Sequence, residues 1–243
     1  MRLEVLDHGY VQFIEAWGVG TSGRDVADYR DDSDHEIGII EAARQSTQGS
    51  FRGWDQDTKL LKYLYENQHS TPFEFAGMVI EVQAPLFVFR EWHRHRTQSY
   101  NEMSARYTAL PDLYYHCHVD DVIDRARATT LNKQAKGVAS VNEEMIINWV
   151  ARDLELNQIL ETHYQQGLAI GVPKELARKK MPVDHYSKMR ASANLRNWLS
   201  FMTLRCAPNA QKEIRVYADA VANIVGEVFP HTFHLWAKKT FGG

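Results

Sequence analysis

Cysteine is nearly absent from this sequence: Cys117 and Cys206 are the only two among 243 residues. Two thiols cannot build a disulfide framework, so they read as reduced thiols of a cytoplasmic protein. Long apolar runs are missing as well. The longest uncharged apolar runs, such as Pro85 to Phe89 and Trp198 to Leu204, fall far short of the roughly 18 residues that a membrane-spanning helix needs. The first residues, Met1 to His8, contain no apolar signal core and no small-residue cleavage site, which argues against secretion. There is no excess of positive charge either. Lys and Arg total 28 against 31 Asp and Glu, a net charge of -3, which argues against a general nucleic-acid binder. Any anion the protein binds must be met by a local cluster of cations. Internal repeats and Pro/Gly/Ser-rich linkers are also lacking, so nothing divides the chain. What is present, 44% hydrophobic and 11% aromatic residues, excludes low-complexity disorder and suffices for a substantial core.

The patterning predicts an N-terminal strand over about 2–16, an acidic solvated loop from Gly20 to Glu36, and a helix beginning near His35. Leu60, Leu61, Tyr63 and Leu64 predict a helix from Thr58 that ends before His69. Alternation from Ala76 to Ala84 predicts a half-buried strand, with Met78, Ile80, Val82 and Ala84 facing inward. Pro85 suits the first turn of a helix reaching about His93. Met145, Ile146, Trp149, Val150, Ile159 and Leu160 predict an amphipathic helix to about Gln166. Ile214, Tyr217, Val221, Ile224, Val225 and Val228 fall on one helical stripe, as core residues do. Val183 to Ala193 alternates like a strand, and Asn194 suits the N-cap of a helix reaching Arg205. Long helices with a few separated strands indicate an α+β fold.

The segment richest in chemistry is Glu91 to Tyr107. Arg94 and Arg96 flank His95, and Ser104 and Arg106 follow in a turn-rich stretch. Guanidinium forks grip phosphate oxygens in pairs, and hydroxyls and loop amides complete such a cradle. In a chain of negative net charge this concentration suits a phosphorylated small molecule. A solvated basic helix end would show the same composition, because cations are favourable at a helix C-terminus.

Arg94-His95-Arg96, seven residues and then Ser104 form a pattern that resembles the flavin-dependent thymidylate synthases. Ser99 to Tyr107 around it is similar to the same family. So are Leu6-Asp-His-Gly-Tyr10, Ala42-Ala-Arg44 and His69-Ser-Thr-Pro-Phe-Glu74. Further on, Glu175-Leu-Ala-Arg178 with Pro182, Asn194-Leu-Arg196, Leu204-Arg205 and Ala210 to Arg215 complete the resemblance. These blocks run in the family's order over about residues 6–215.

The resemblance implies one domain over residues 1–243, an α+β fold of long helices and a small antiparallel or mixed sheet. It also implies methylation of dUMP to dTMP, with 5,10-methylenetetrahydrofolate as carbon donor and FAD carrying hydride from NADPH. A homotetramer whose active sites are shared between chains is implied too. By position, Thr71, Arg94, His95, Arg96, Glu102, Asn194, Leu195 and Arg196 match the FAD site, and Ser200 lies near the flavin. Glu91, Trp92, His93, Arg94, Glu102, Met103, Ser104, Ala105, Arg106, Arg178 and Arg205 match the dUMP site. Glu91 stands where many members have Gln, and Ser200 where relatives often carry Asn or His.

Arg205 is the expected catalytic residue. Methylation at C5 of uracil needs electron density there, which removal of the N3 proton supplies. An arginine is too basic to accept that proton at neutral pH, so its workable role is to hold the developing negative charge. No metal is expected: His116-Cys117-His118 lacks a second ligand pair, and His231 and His234 lack a third ligand. The alternative from a different class is a nucleic-acid-binding module in which Arg94, Arg96, Arg106, Trp92 and Tyr107 contact phosphates and stack on bases.

Overall fold

The computed structural model describes residues 1–21, 34–47, 49–127 and 140–242. The expected single N-terminal strand is two, β1 (Arg2–Val5) and β2 (Gly9–Trp17), joined in an antiparallel hairpin. Leu6 turns the chain with a φ of 58°. Gly9 is required after it, because any side chain there would meet the Tyr217 hydroxyl. Apolar patterning does not reveal such a turn. Residues 22–33 of the expected acidic loop lie outside the described residues.

Helices α1 (Ile37–Ala43) and α2 (Trp54–Glu66) come next, then β3 (Gly77–Pro85), α3 (Leu86–Trp92) and the short β4 (Ser99–Glu102). After them come α4 (Val119–Ala126), α5 (Glu143–Ala169), α6 (Lys174–Ala177) and β5 (Tyr186–Asn194). The chain ends with α7 (Leu195–Arg205), α8 (Lys212–Val228) and α9 (Pro230–Phe241). Helix α2 starts four residues before the expected Thr58, after Gly53 with its positive φ. Pro85 ends its strand and caps α3 instead of entering the first turn. The strand expected from Val183 begins at Tyr186, while β4, inside the basic segment, and α4 were not foreseen.

All strand pairs are antiparallel, in the order β1-β2-β3-β5-β4. One face carries Met78, Ile80, Val82 and Ala84 of β3 with Met189, Ala191 and Ala193 of β5, all buried. Helices α7 and α8 pack against this sheet, bringing Trp198, Phe201, Ile214, Tyr217, Val221 and Ile224 into one core. A buried side chain of this size contributes about 1.5–3 kcal/mol. The other face bears Glu81 and Arg190, half-buried and exposed, as an antiparallel sheet with one solvated face permits. Gln83 departs from the expected polar exposure: it is buried and donates to the His8 carbonyl at 2.6 Å.

Three local devices aim the functional elements. The first amides of α3 are satisfied from outside the helix, Leu86 by the His185 carbonyl at 3.0 Å and Phe87 by that of Val183 at 2.9 Å. The Asn194 side chain caps α7 by accepting from the Asn197 amide at 3.0 Å, as its position in the sequence predicts. The Asn142 side chain caps α5 through the Met145 amide. The α5 stripe, however, is not packed on the core. Met145 is 68% exposed, Trp149 59% and Ile159 63%, and Asn157 and Tyr164 are the buried members of that helix. No helix among the described residues is long and apolar enough to cross a membrane.

Candidate active site

The site forms where the C-terminal ends of α3 and α7 meet. Phe201 of α7 stacks on Trp92 at 4.6 Å between centroids and meets the edge of the His95 ring at 4.8 Å. The turn after α3 is braced from inside. The Tyr100 hydroxyl donates to the carbonyls of His95 at 2.7 Å and Trp92 at 3.2 Å. The Trp92 indole N–H donates to Gln98 Oε1 at 3.0 Å.

Arg205, the last residue of α7, is held by that turn on three sides. Its Nε donates to Nε2 of His95 at 2.8 Å, its Nη1 to Glu91 Oε2 at 2.8 Å, and its Nη2 to the Glu91 carbonyl at 2.9 Å. A guanidinium has five N–H groups, so two stay available. The Nε contact requires His95 to be neutral, with its proton on Nδ1. Burial first, and the Arg205 charge second, push His95 down to about 4. The Glu91 carboxylate and His95 Nε2, both among the expected ligand-facing groups, are here engaged with Arg205.

The other expected residues fall into two neighbouring groups. At the start of α7, Arg196 pairs with Glu74 of the 3-10 turn Thr71–Glu74, and Asn197 donates to the Thr97 carbonyl at 3.1 Å. Thr71 and Ser200 are exposed there. On the far side of β4, Arg106 pairs with Glu175 at 2.9 Å. Lys174 reaches the Tyr107 carbonyl at 2.8 Å, and Arg178 opens the 3-10 turn that follows α6. Ser104 accepts from the Arg106 amide at 3.4 Å. Glu102 pairs in β4 with Met189, and the Met103 amide donates to the Lys188 carbonyl at 2.8 Å. His93 sits between the Phe89 and Tyr100 rings with Nε2 at 3.2 Å from Met189 Sδ. Among the described residues, no hydrogen bond or ion pair joins the Arg178 group to Arg205.

Arg94, Arg96 and Arg178 are exposed, and no side-chain hydrogen bond or ion pair engages them among the described residues. Exposed guanidinium groups of this kind are ready anion binders. Of the expected site residues, Trp92, Leu195 and Ala105 have their side chains buried within the protein. The burial of Trp92 also removes the main stacking ring from the nucleic-acid-binding alternative.

Several supporting residues were not legible beforehand: Gln98, Tyr100, Asn197 and Phe201 from the motif and α7, and Glu74 and Glu175 as partners of Arg196 and Arg106. Gln98 and Tyr100 lie inside the motif, but their partners carry no local signal. Among the described residues no group of three or more His, Cys, Asp or Glu is placed to hold a metal ion. Cys206 is buried, and that burial, reinforced by Asp219, pushes its thiol up to about 12. Burial also raises the Cys117 thiol. Neither is an activated nucleophile.

Residues 26–231 match the family described as thymidylate synthase complementing protein. The flavin-dependent thymidylate synthase of Thermosipho africanus is 32% identical over 245 residues, covering all of this chain and 97% of that protein. The protein of the same name from Rickettsia prowazekii is 32% identical over 99% of this chain and 80% of its own length. Among solved structures, the UMP/dUMP methylase PolB from Streptomyces cacaoi, bound with 5-Br UMP, superposes with a TM-score of 0.76. It is 25% identical and covers 98% of this chain and 97% of that one. With the family model matching residues 26–231 and full-length relatives at 32% identity, the chain belongs to the flavin-dependent thymidylate synthase family.

Proposed function

We propose that the protein converts dUMP to dTMP, using FAD, 5,10-methylenetetrahydrofolate as carbon donor and NADPH as reductant. The observation that carries this reading is the Arg205 guanidinium, fixed by His95 and Glu91 with two N–H groups left over. The two remaining N–H groups, one on each Nη, can donate to acceptors of a uracil that has lost its N3 proton, a ring nitrogen and a carbonyl oxygen. A positive fork already in place where that charge develops lowers the barrier without reorganisation. FAD, when bound, would supply the redox chemistry. The residues present fit it: Arg94 and Arg96, without side-chain partners among the described residues, are donors suited to its phosphates, with Thr71, Asn194 and Arg196 as further polar groups. Arg178, Arg106 and Ser104 suit the nucleotide phosphate. Anaerobic incubation with NADPH, methylenetetrahydrofolate and dUMP should yield dTMP by direct assay. Failure of a flavin-loaded preparation to form dTMP would refute the reading.

The chain works as one domain over residues 1–243, in the cytoplasm, in a homotetramer with shared active sites. One observation supports the assembly: the exposed apolar stripe on α5. An Arg178→Ala variant mixed with an Arg205→Ala variant under subunit exchange should recover part of the activity that each lacks. No recovery despite verified exchange means that both residues serve a site from one chain.

The thiols take no part in this chemistry. A Cys117→Ser, Cys206→Ser double variant should form dTMP at close to the parent rate. A folded, flavin-loaded double variant without activity would overturn the mechanism.

A further inference from the structure

We propose that Glu91 is the positioning residue that aims the Arg205 guanidinium at the pyrimidine, an assignment that rests on the dUMP reading above. Glu91 grips the fork twice, through its carboxylate Oε2 on Nη1 at 2.8 Å and its own carbonyl on Nη2 at 2.9 Å. His95 closes the third side at Nε. An arginine at the last turn of a helix is otherwise a long, freely rotating side chain, and a hydrogen-bonded carboxylate is what converts it into a preorganised donor.

The gripping turn is itself rigid. Tyr100 bonds two of its carbonyls, and Trp92 is stacked on Phe201 and bonded to Gln98. The direction of the fork is thus set by the end of α3 as much as by α7. The Arg205 side chain is 18% exposed, and a guanidinium that far from water needs a nearby counter-charge. Glu91 supplies it. A carboxylate paired with Arg205 also has its charge offset there, so it repels an approaching anion less. Glu91 therefore acts through Arg205 and not by touching the substrate.

This assignment makes distinct demands of two substitutions. Glu91→Leu removes the acceptor, whereas Glu91→Gln keeps an oxygen able to accept from Nη1. Glu91→Leu should bind FAD and be reduced by NADPH like the parent, with kcat for dTMP lower by roughly 10²-fold and KM for dUMP little changed. Glu91→Gln should recover most of the loss. A raised KM with kcat intact would make Glu91 a substrate contact and overturn the proposal, as would a Glu91→Gln variant no better than Glu91→Leu.

Thermal unfolding of Glu91→Leu, Arg205→Met and the double variant gives a reading independent of turnover. Coupled residues predict a double variant that unfolds close to the worse single variant, whereas additive losses overturn the pairing. A parent protein inactive toward dUMP but with the coupling intact would sink the functional reading, and the catalytic part of this assignment with it.

Discussion

Arg205→Ala should bind FAD and be reduced by NADPH at the parent rate, while dTMP formation falls by roughly 10²–10³-fold. The flavin half-reaction places no charge on a pyrimidine, so the loss belongs to the step in which the uracil ring becomes electron-rich. Two features of the site put the effect in that range. The guanidinium is fixed before substrate arrives, by His95 and by two oxygens of Glu91. It also lies largely out of water, where a charge interaction counts for more than at the surface. Arg205→Lys should restore only part of the activity. An ammonium keeps the charge but has no planar fork to span a ring nitrogen and its neighbouring carbonyl, and it cannot satisfy Glu91 and His95 together. Stopped-flow recording of flavin reduction, and of reoxidation by dUMP with the folate, separates the two steps. Equal slowing of both would deny Arg205 its role and point to a structural defect at the end of α7.

Arg44→Ala should cause the largest loss of stability, about 3 kcal/mol. Arg44 closes α1 and pairs through both Nη atoms with Asp57, whose carboxylate is 0% exposed in the first turn of α2. The same guanidinium donates to the Ser50 carbonyl at 2.5 Å. Without Arg44 a buried carboxylate loses its counter-charge. It keeps the Arg52 amide at 2.7 Å and the favourable end of α2, which places the cost at the lower end of the range for breaking a buried pair. For a chain of this length the melting temperature should drop by roughly 6–12 °C, measured at fixed protein concentration without ligands. Arg44→Met combined with Asp57→Leu should regain much of it, because an apolar pair leaves no charge to desolvate. A shift under about 1 kcal/mol for Arg44→Ala would show that water reaches Asp57 and that the pair is not structural. Arg44 belongs to one of the sequence blocks that resemble the family, and the structure gives it an architectural task joining α1 to α2.

Much of this protein is written locally. The stripe Ile214, Tyr217, Val221, Ile224 and Val225, the alternation from Met78 to Ala84 and the Asn194 cap each follow from side-chain period or a single hydrogen bond, and each is present. The motif from Arg94 to Arg106, together with the spaced blocks over about residues 6–215, carries the family resemblance in the sequence alone. Other features are invisible at that range. The apolar spacing of α5 resembles that of α8, yet α8 is buried and α5 exposed, because periodicity specifies a face and not what covers it. Trp92 lies among the expected ligand-binding positions, but its ring is in the core, where α7 brings Phe201 against it. Glu91 and His95 looked like groups for a nucleotide and a flavin. They turned toward Arg205, 114 and 110 residues further on, when folding brought the ends of α3 and α7 together. Residue type and spacing determine which chemistry a segment can perform. The partner of each charge is chosen by packing between distant elements, since Coulomb and hydrogen-bond energies depend on separation in space and not along the chain.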